Sequence, residues 1–211
     1  MYKTIIFTLI LAISSFALTL EQVKNDLKKS SFAKDSIEME IRTIMNVMGT
    51  SQSISIYIVQ KGASKIYTEI NAAFVNQRSI VNGSKMKVID LKTNKSQVVS
   101  YNGEALEAMS YARFNPLDAG EWGTPKYVSE NLYSIKGSKG SLYYNSKKKR
   151  IEKYESEEDD KYVLTTFEYD AENNLSRMKI DVDADGVKTN IITEILRMRS
   201  SKDFPDFLFE F

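Results

Sequence analysis

Residues 36–74 read SIEMEIRTIMNVMGTSQSISIYIVQKGASKIYTEINAAF, and this stretch decides the fold class. Between Ile37 and Met45, apolar side chains alternate with polar ones, and this period of two indicates a half-buried β-strand. The same alternation returns in residues 54–58 and 66–74, after a turn at 49–53 and a glycine-containing turn. Three alternating runs joined by tight turns are typical of an antiparallel meander.

The meander extends in both directions along the chain. A Thr19/Gln22 capping box predicts a helix over residues 19–31, and good helix formers predict a second helix over 103–114, followed by a loop to Pro125. The remaining predicted strands are 79–81, 86–89, 98–101, 128–135, 141–144, 151–155, 163–169, 178–182 and 187–198. We therefore predict a mostly β, α+β fold: one antiparallel sheet of about ten strands that either closes on itself or stays a curved half-barrel under a few helices.

The first residues predict a secretory leader. A lysine at position 3 is followed by an apolar run from Ile5 to Phe16, with small residues at Ser15 and Ala17. We expect cleavage after Ala17 and a single soluble domain, residues 18–211, in the periplasm. A membrane anchor is disfavoured because the run has about twelve residues, whereas a spanning helix needs about 20.

Histidine and cysteine are both absent from the chain, which excludes whole classes of chemistry. A Ser-His-Asp or Cys-His nucleophile system cannot be assembled, and the usual zinc, copper and haem ligands are missing. We predict no catalytic residues, no cofactor and no enzyme activity, although carboxylate-based hydrolysis and an oxygen-ligated cation stay open. Without Lys3, 28 of the 29 basic residues remain to balance 28 acidic ones, and this neutrality argues against nucleic acid as a partner.

Three charged segments have simple interpretations. Asp181, Asp183 and Asp185 precede Gly186 as in the first half of an EF-hand loop, but Ile192 stands where calcium requires a bidentate glutamate. Asp-Gly between two alternating runs predicts a hairpin turn more simply, so we predict no metal site there. Residues 157–160 predict a solvated acidic turn. Residues 147–150 are the only basic cluster in the sequence, for which a charged hairpin tip is the favoured interpretation and docking to an anionic membrane surface or an acidic partner is the alternative.

Two local motifs accompany this order of elements. Residues 79–90 read SIVNGSKMKVID, a strand, a glycine turn and a strand ending in Asp90, and the chain closes with FPDFLFEF at 204–211. Together with the first helix, the long first strand and the helix after Asn102-Gly103, they resemble the LolA-like family of periplasmic lipoprotein carriers, which includes the LolB and RseB type folds. The resemblance covers nearly the whole chain after the leader.

The resemblance implies a monomeric carrier with a half-barrel fold. The apolar cavity of such a protein receives lipoprotein acyl chains from an inner-membrane transporter and passes them to an outer-membrane acceptor. Burying acyl chains gains about 0.8 kcal/mol per CH₂, so transfer needs no catalysis. The chain departs from the family at residues 60–67, QKGASKIY, because better-known members have a segment there whose arginine holds a helical lid.

Apolar side chains on the alternating strands are the candidate ligand-binding residues. Strand parity determines which of them share a face but not which face is concave, and an ordinary packed core is the alternative for each one. The candidates are Met39, Ile41, Met45, Ile54, Ile56, Ile58, Ile66, Ile70, Met86 and Val88. Rim packing is the favoured interpretation of Trp122, Tyr111, Tyr143 and Tyr144, with a cavity mouth as the alternative.

The sequence leaves two main functional hypotheses from different classes. The first is a carrier that shields an apolar moiety, in keeping with the resemblance. The second is a non-catalytic exported β-sheet protein that mediates envelope scaffolding or sensing. An open apolar cavity favours the first, and a filled sheet interior favours the second.

Overall fold

The computed structural model describes residues 18–30, 36–62, 64–103, 115–200 and 204–211. Within these ranges one α-helix, α1 (Leu20–Ser30), precedes thirteen β-strands, and short 3-10 helices lie at Pro116–Ala119 and Asp206–Phe209. The strands are β1 (Ser36–Val47), β2 (Thr50–Lys61), β3 (Lys65–Ala72), β4 (Asn76–Asn82), β5 (Lys85–Asp90), β6 (Ser96–Ser100), β7 (Lys126–Ser129), β8 (Leu132–Gly137), β9 (Gly140–Asn145), β10 (Arg150–Glu158), β11 (Lys161–Tyr169), β12 (Leu175–Ala184) and β13 (Val187–Ser200). The predicted leader, Tyr111 and residues 104–114 of the second predicted helix lie outside the described residues.

All thirteen strands form one antiparallel sheet in the order β6-β5-β4-β3-β2-β1-β13-β12-β11-β10-β9-β8-β7. The meander is continuous except where β1 pairs with β13, which joins the first half of the sheet to the second. Because β6 and β7 lie at opposite ends of this order, the sheet is open. The structure thus confirms the curved half-barrel, with thirteen strands instead of about ten.

One face of the sheet, here called the inner face, carries the alternating apolar side chains. Met39 of β1 stands opposite Ile58 of β2 and Met198 of β13, so the three side chains share this face. They belong to a packed cluster in the first half of the sheet, together with Ile41, Ile56 and Ile66. The alternation of apolar and polar residues therefore predicted these strands and their apolar side correctly.

Helix α1 covers the inner face in the second half of the sheet. Its capping box is formed as predicted: the Gln22 amide donates to Thr19 Oγ1 at 3.2 Å, and the Thr19 amide donates to Gln22 Oε1 at 2.8 Å. Val23 is fully buried in a second cluster with residues of β8 to β11. Within the described residues no helix is long and apolar enough to span a bilayer.

The other side, here called the outer face, is partly covered by the end of the chain. Phe204 and Phe209 are buried against Val59 of β2, where they form a third apolar cluster. Asp206, between them, is ion-paired with Lys61 at 3.0 Å and with Lys65 at 2.9 Å. The closing motif therefore holds the C-terminus on the β2–β3 hairpin.

Several boundaries differ from the prediction. The run predicted over 128–135 is two strands, because Asn131 adopts a left-handed conformation (φ 61°) in a tight turn between β7 and β8. Strand β2 begins at Thr50, since the β1–β2 turn is confined to Met48 and Gly49. Phe74, predicted to end the third strand, lies in the β3–β4 turn and is 86% exposed.

Candidate functional site

A cavity of about 470 Å³ lies on the inner face of the second half of the sheet. Its floor is built by β9 to β12, and its remaining walls come from residues 116–122 and the β8–β9 turn. The volume falls within the roughly 300–1,000 Å³ of ordinary small-molecule sites. Most lining residues are apolar or aromatic, and the polar ones are Glu121, Ser138, Lys139 and Thr165.

The floor follows directly from strand register. Leu142, Tyr154, Thr165 and Ile180 stand in one row across β9, β10, β11 and β12. Phe167 of β11 and Met178 of β12 are opposite each other and lie two residues away from the Thr165–Ile180 pair, on the same face. Six side chains from four adjacent strands therefore line a continuous, largely apolar patch.

The segment over residues 115–122 forms the opposite wall. Asn115 caps the short 3-10 helix by accepting from the Leu117 amide at 3.1 Å, and Leu117 is buried in the second cluster. Trp122 donates its Nε1–H to the Leu117 carbonyl at 3.0 Å and packs edge-on against Tyr154, with ring centroids 6.4 Å apart. These contacts fix the segment over the floor.

The ten residues predicted as ligand contacts all lie on the inner face, but in the first half of the sheet. None of them lines the 470 Å³ cavity. Met39, Ile41, Ile56, Ile58 and Ile66 are buried in the first cluster, and Ile54, Ile70 and Met86 pack against it. Met45 and Val88 are half-buried on the same face. The shared face agrees with the parity argument, and contact with a ligand stays a prediction for these ten residues.

Sequence reasoning overlooked most of the cavity floor. Phe167, Met178 and Ile180 belong to strands that were predicted, so their common parity was an available signal. Tyr154 was harder to place, because the β9–β10 pairing shifts register between Ile151 and Lys153. This bulge leaves Ile151 and Tyr154, three residues apart, on the same face.

The aromatic residues singled out in the sequence have three different environments. Trp122 lines the cavity. Tyr144 is fully buried beneath α1, where its hydroxyl donates to Asp26 Oδ2 at 2.8 Å, and burial together with this carboxylate raises the pKa of Tyr144. Tyr143 points to the outer face and donates to Glu155, whose carboxylate, together with partial burial, raises the pKa of Tyr143 to about 12.

The acidic motif is a hairpin, as favoured from the sequence. Asp185 and Gly186 have positive φ angles of 53° and 77° and form the β12–β13 turn. Asp181 is ion-paired with Lys179 at 2.8 Å and accepts from Asn190 at 2.7 Å, which together lower its pKa. Among the described residues no group of three acidic side chains is close enough to hold a metal ion.

A second depression of about 590 Å³ lies around this hairpin. Apolar residues line it together with charged and polar ones, among them Asp181, Asp183, Lys188 and Asn190. An acyl chain bound there would take these charged side chains out of water, which is unfavourable. The smaller cavity on the inner face is therefore the better candidate site for an apolar ligand.

The fold recurs among solved structures of other proteins. A LolA superfamily protein from Nitrosomonas europaea matches with a TM-score of 0.56 at 15% sequence identity, over 92% of this chain and 99% of its own. A DUF1329 family protein from Desulfovibrio piger matches with a TM-score of 0.51 at 11% identity, over 89% of this chain and 94% of its own. The fold is thus the LolA-like half-barrel that the sequence resemblance implied.

These similarities are structural only. No protein-family model and no curated protein sequence matches the chain.

Proposed function

We propose that this protein is a non-enzymatic periplasmic carrier that shields the acyl chains of a lipoprotein, or of a related lipid, during transfer between membranes. The observation that carries the proposal is the largely apolar 470 Å³ cavity on the inner face of a LolA-like sheet. Each CH₂ buried there gains about 0.8 kcal/mol, so binding requires only apolar surface and shape. The partners of such a carrier are an inner-membrane transporter and an outer-membrane acceptor.

The export step of this proposal rests on the sequence. The leader of residues 1–17 directs the chain to the periplasm and is removed after Ala17, leaving one domain of residues 18–211. Protein exported in this way has access to acylated cargo on the outer side of the inner membrane.

Residues 60–67, where the sequence departs from the LolA-like pattern, contain two lysines that contact another part of the chain. Lys61 and Lys65 lie on the outer face, where both bind Asp206 of the C-terminal segment. These lysines therefore anchor the C-terminal segment. In this proposal other residues control access to the cavity. In this proposal the segment over residues 115–122 takes that role, because Pro116 and Trp122 form part of the cavity wall.

The test is mass spectrometry of organic extracts from the purified protein, with two matched variants. Ile180→Glu places a charge in the cavity, whereas Ile192→Glu places the same charge on the outer face of the neighbouring strand, and both isoleucines are half-buried. We expect bound lipid or acylated peptide in the wild type and in Ile192→Glu, and its loss in Ile180→Glu. A lipid-free wild type that also fails to take up an apolar dye would contradict the proposal and favour envelope scaffolding.

A third variant distinguishes the two halves of the inner face. Ile70→Glu changes one of the residues predicted from the sequence, which packs against the first cluster and not in the cavity. Retention of lipid in folded Ile70→Glu would locate binding in the second half of the sheet. Loss of lipid in this variant alone would locate it in the first half.

A further inference from the structure

The two edges of the open sheet differ in how well they are protected. Edge strands expose unpaired backbone groups, and proteins usually protect them with charged residues, proline or bulges. Strand β7 has such protection: Pro125 precedes it, it begins with Lys126, and its pairing with β8 shifts register between Tyr127 and Ser129. Strand β6 reads SQVVS, with no charge, no proline and no shift in register.

All five residues of β6 are exposed. Val98 is 54% exposed and Val99 is 37% exposed, so apolar side chains of this edge meet solvent on both faces of the sheet. Val98 pairs with Lys87 on the outer face, and Val99 pairs with Met86 on the inner face. Nothing in the described part of the chain covers this strand.

The backbone of β6 has a defined hydrogen-bonding pattern. At its two ends, the Asp90 amide donates to the Lys95 carbonyl at 2.9 Å, and the Tyr101 amide donates to the Ser84 carbonyl at 2.8 Å. Because bonded residues alternate along an antiparallel pair, Gln97 and Val99 also direct their backbone groups toward β5. The N–H and C=O groups of Ser96, Val98 and Ser100 therefore point away from the sheet, and none of them is bonded within the described ranges.

From this pattern we infer that β6 is a self-association edge, which pairs antiparallel with β6 of a second copy of this chain about a two-fold axis at Val98. In that register Ser96 faces Ser100 of the partner, Val98 faces its own equivalent, and each pair exchanges two backbone hydrogen bonds. All outward groups of the three residues are then satisfied. The side chains match as well, because Gln97 meets Val99 on the inner face and no charge faces another.

An identical copy suits this edge better than an unrelated strand does. A two-fold interface needs a self-complementary surface, and S-Q-V-V-S has serine at both ends and valine at its centre. The pairing would extend the two sheets into one and place their inner faces side by side. Because the strand has only five residues, we expect a weak dimer whose population rises with protein concentration and which dissociates at low concentration to the monomer that the sequence resemblance implies.

Cysteine cross-linking tests the register directly, since the chain has no cysteine of its own. In the inferred dimer the two Cα atoms at position 98 form a hydrogen-bonded pair about 5.5 Å apart, which suits the roughly 4.4–6.8 Å that a disulfide spans. Positions 97 are offset by two residues, which separates their Cα atoms by roughly 8 Å. Under mild oxidation we expect Val98→Cys to form a disulfide-linked dimer and Gln97→Cys to stay largely monomeric.

Sedimentation measurements without cross-linking complete the test. Val98→Lys would place two like charges opposite each other at the axis and weaken the dimer up to roughly fivefold. Val128→Lys, at a similarly exposed valine on the protected edge, is the matched control and should sediment like the wild type. A wild type that is monomeric at all concentrations, or equal cross-linking at positions 97 and 98, would overturn the inference.

Discussion

Phe167 of β11 and Met178 of β12 stand directly opposite each other on the inner face, and both line the 470 Å³ cavity. The pair combines a rigid ring with a flexible thioether side chain, which adapts to irregular apolar ligands. Both residues also pack in the second cluster, in which Val23 of α1 is fully buried. The cavity is thus continuous with the packed core, and a ligand that enters it extends that core.

The single tryptophan of the chain reports on this cavity. Trp122 lines it, so a fatty acid brominated along its chain should quench the tryptophan emission when it binds. We expect saturable quenching in the wild type and in Ile192→Glu, and little in Ile180→Glu, where the charge would be desolvated by the ligand. Equal quenching in all three proteins would show that the fatty acid does not bind in the cavity.

Gly137 is required by the close approach of Trp122. A Cβ atom at position 137 would lie 2.7 Å from Trp122 Cε3 and 2.8 Å from the Glu121 carbonyl oxygen. We predict that Gly137→Ala displaces the 115–122 segment, costs about 1–3 kcal/mol as overpacked sites do, and alters tryptophan emission. Urea unfolding followed at Trp122 measures both effects.

Gly120→Ala is the control for this experiment, because a Cβ atom there meets nothing within 4 Å. We expect its unfolding midpoint to stay close to that of the wild type. If the two alanine variants behaved alike, the contact between Gly137 and Trp122 would not be what restricts position 137.

Glu38 is a buried carboxylate on the outer face, held by Tyr57 and by two arginines. The Tyr57 hydroxyl donates to Glu38 Oε1 at 2.8 Å, Arg199 donates to Oε2, and Arg197 lies 3.8 Å from Oε1. Burial, and then the bond to Glu38, raise the pKa of Tyr57 to about 12. Because a hydrogen bond to a charged group contributes about 1.5–3 kcal/mol, we predict that Tyr57→Phe lowers the free energy of unfolding by a similar amount.

Tyr133→Phe is the matched control for this substitution. Its hydroxyl makes no hydrogen bond to another described residue, and its ring packs on Tyr127 in the same way with or without the hydroxyl. Denaturant unfolding should show a change of under about 0.5 kcal/mol. A Tyr57→Phe variant as stable as this control would mean that the two arginines suffice for Glu38.

The C-terminal segment should respond to strong acid only. Hydrogen bonds from Lys65 and Lys61 lower the pKa of Asp206 to about 2, from 3.8 for a free aspartate. A depressed pKa means that the folded state favours the carboxylate, so this contribution to stability is complete above about pH 4 and is lost as the pH falls through about 2. Carboxyl chemical shifts should titrate with a midpoint near that value.

Lys65→Met provides the comparison for Asp206. Removing one of the two cations should move the midpoint of Asp206 upward, toward 3.8. A midpoint near 3.8 in the wild type itself would show that the two lysines do not hold the carboxylate in solution.

The alternation of residues was sufficient to predict most of the strands. Side chains two apart in a strand share a face, so the periodicity alone assigns Met39, Ile41, Ile56 and Ile58 to one buried side, and they form one cluster. The capping box at Thr19 and the Asp185-Gly186 turn could also be predicted from the sequence, because each depends only on neighbouring residues.

β-Bulges could not be predicted from the alternation of residues. The register shift between Ile151 and Lys153 moves Tyr154 to the inner face, and the shift at Glu40/Ile41 lets Ile195 and Met198 share one face. An extra residue reverses the parity of everything after it, and its position depends on pairing with a distant strand. The sequence alone could not locate these shifts.

Residue alternation and composition indicated most of the strands, the apolar face of the first half of the sheet and the absence of histidine and cysteine chemistry. Which part of the inner face is filled and which is open follows from three-dimensional packing. The first cluster is packed, whereas the cavity exists where the 115–122 segment and four strands meet. That difference arises from contacts such as Trp122 with Tyr154, between residues far apart in the chain, and strand periodicity carries no information about them.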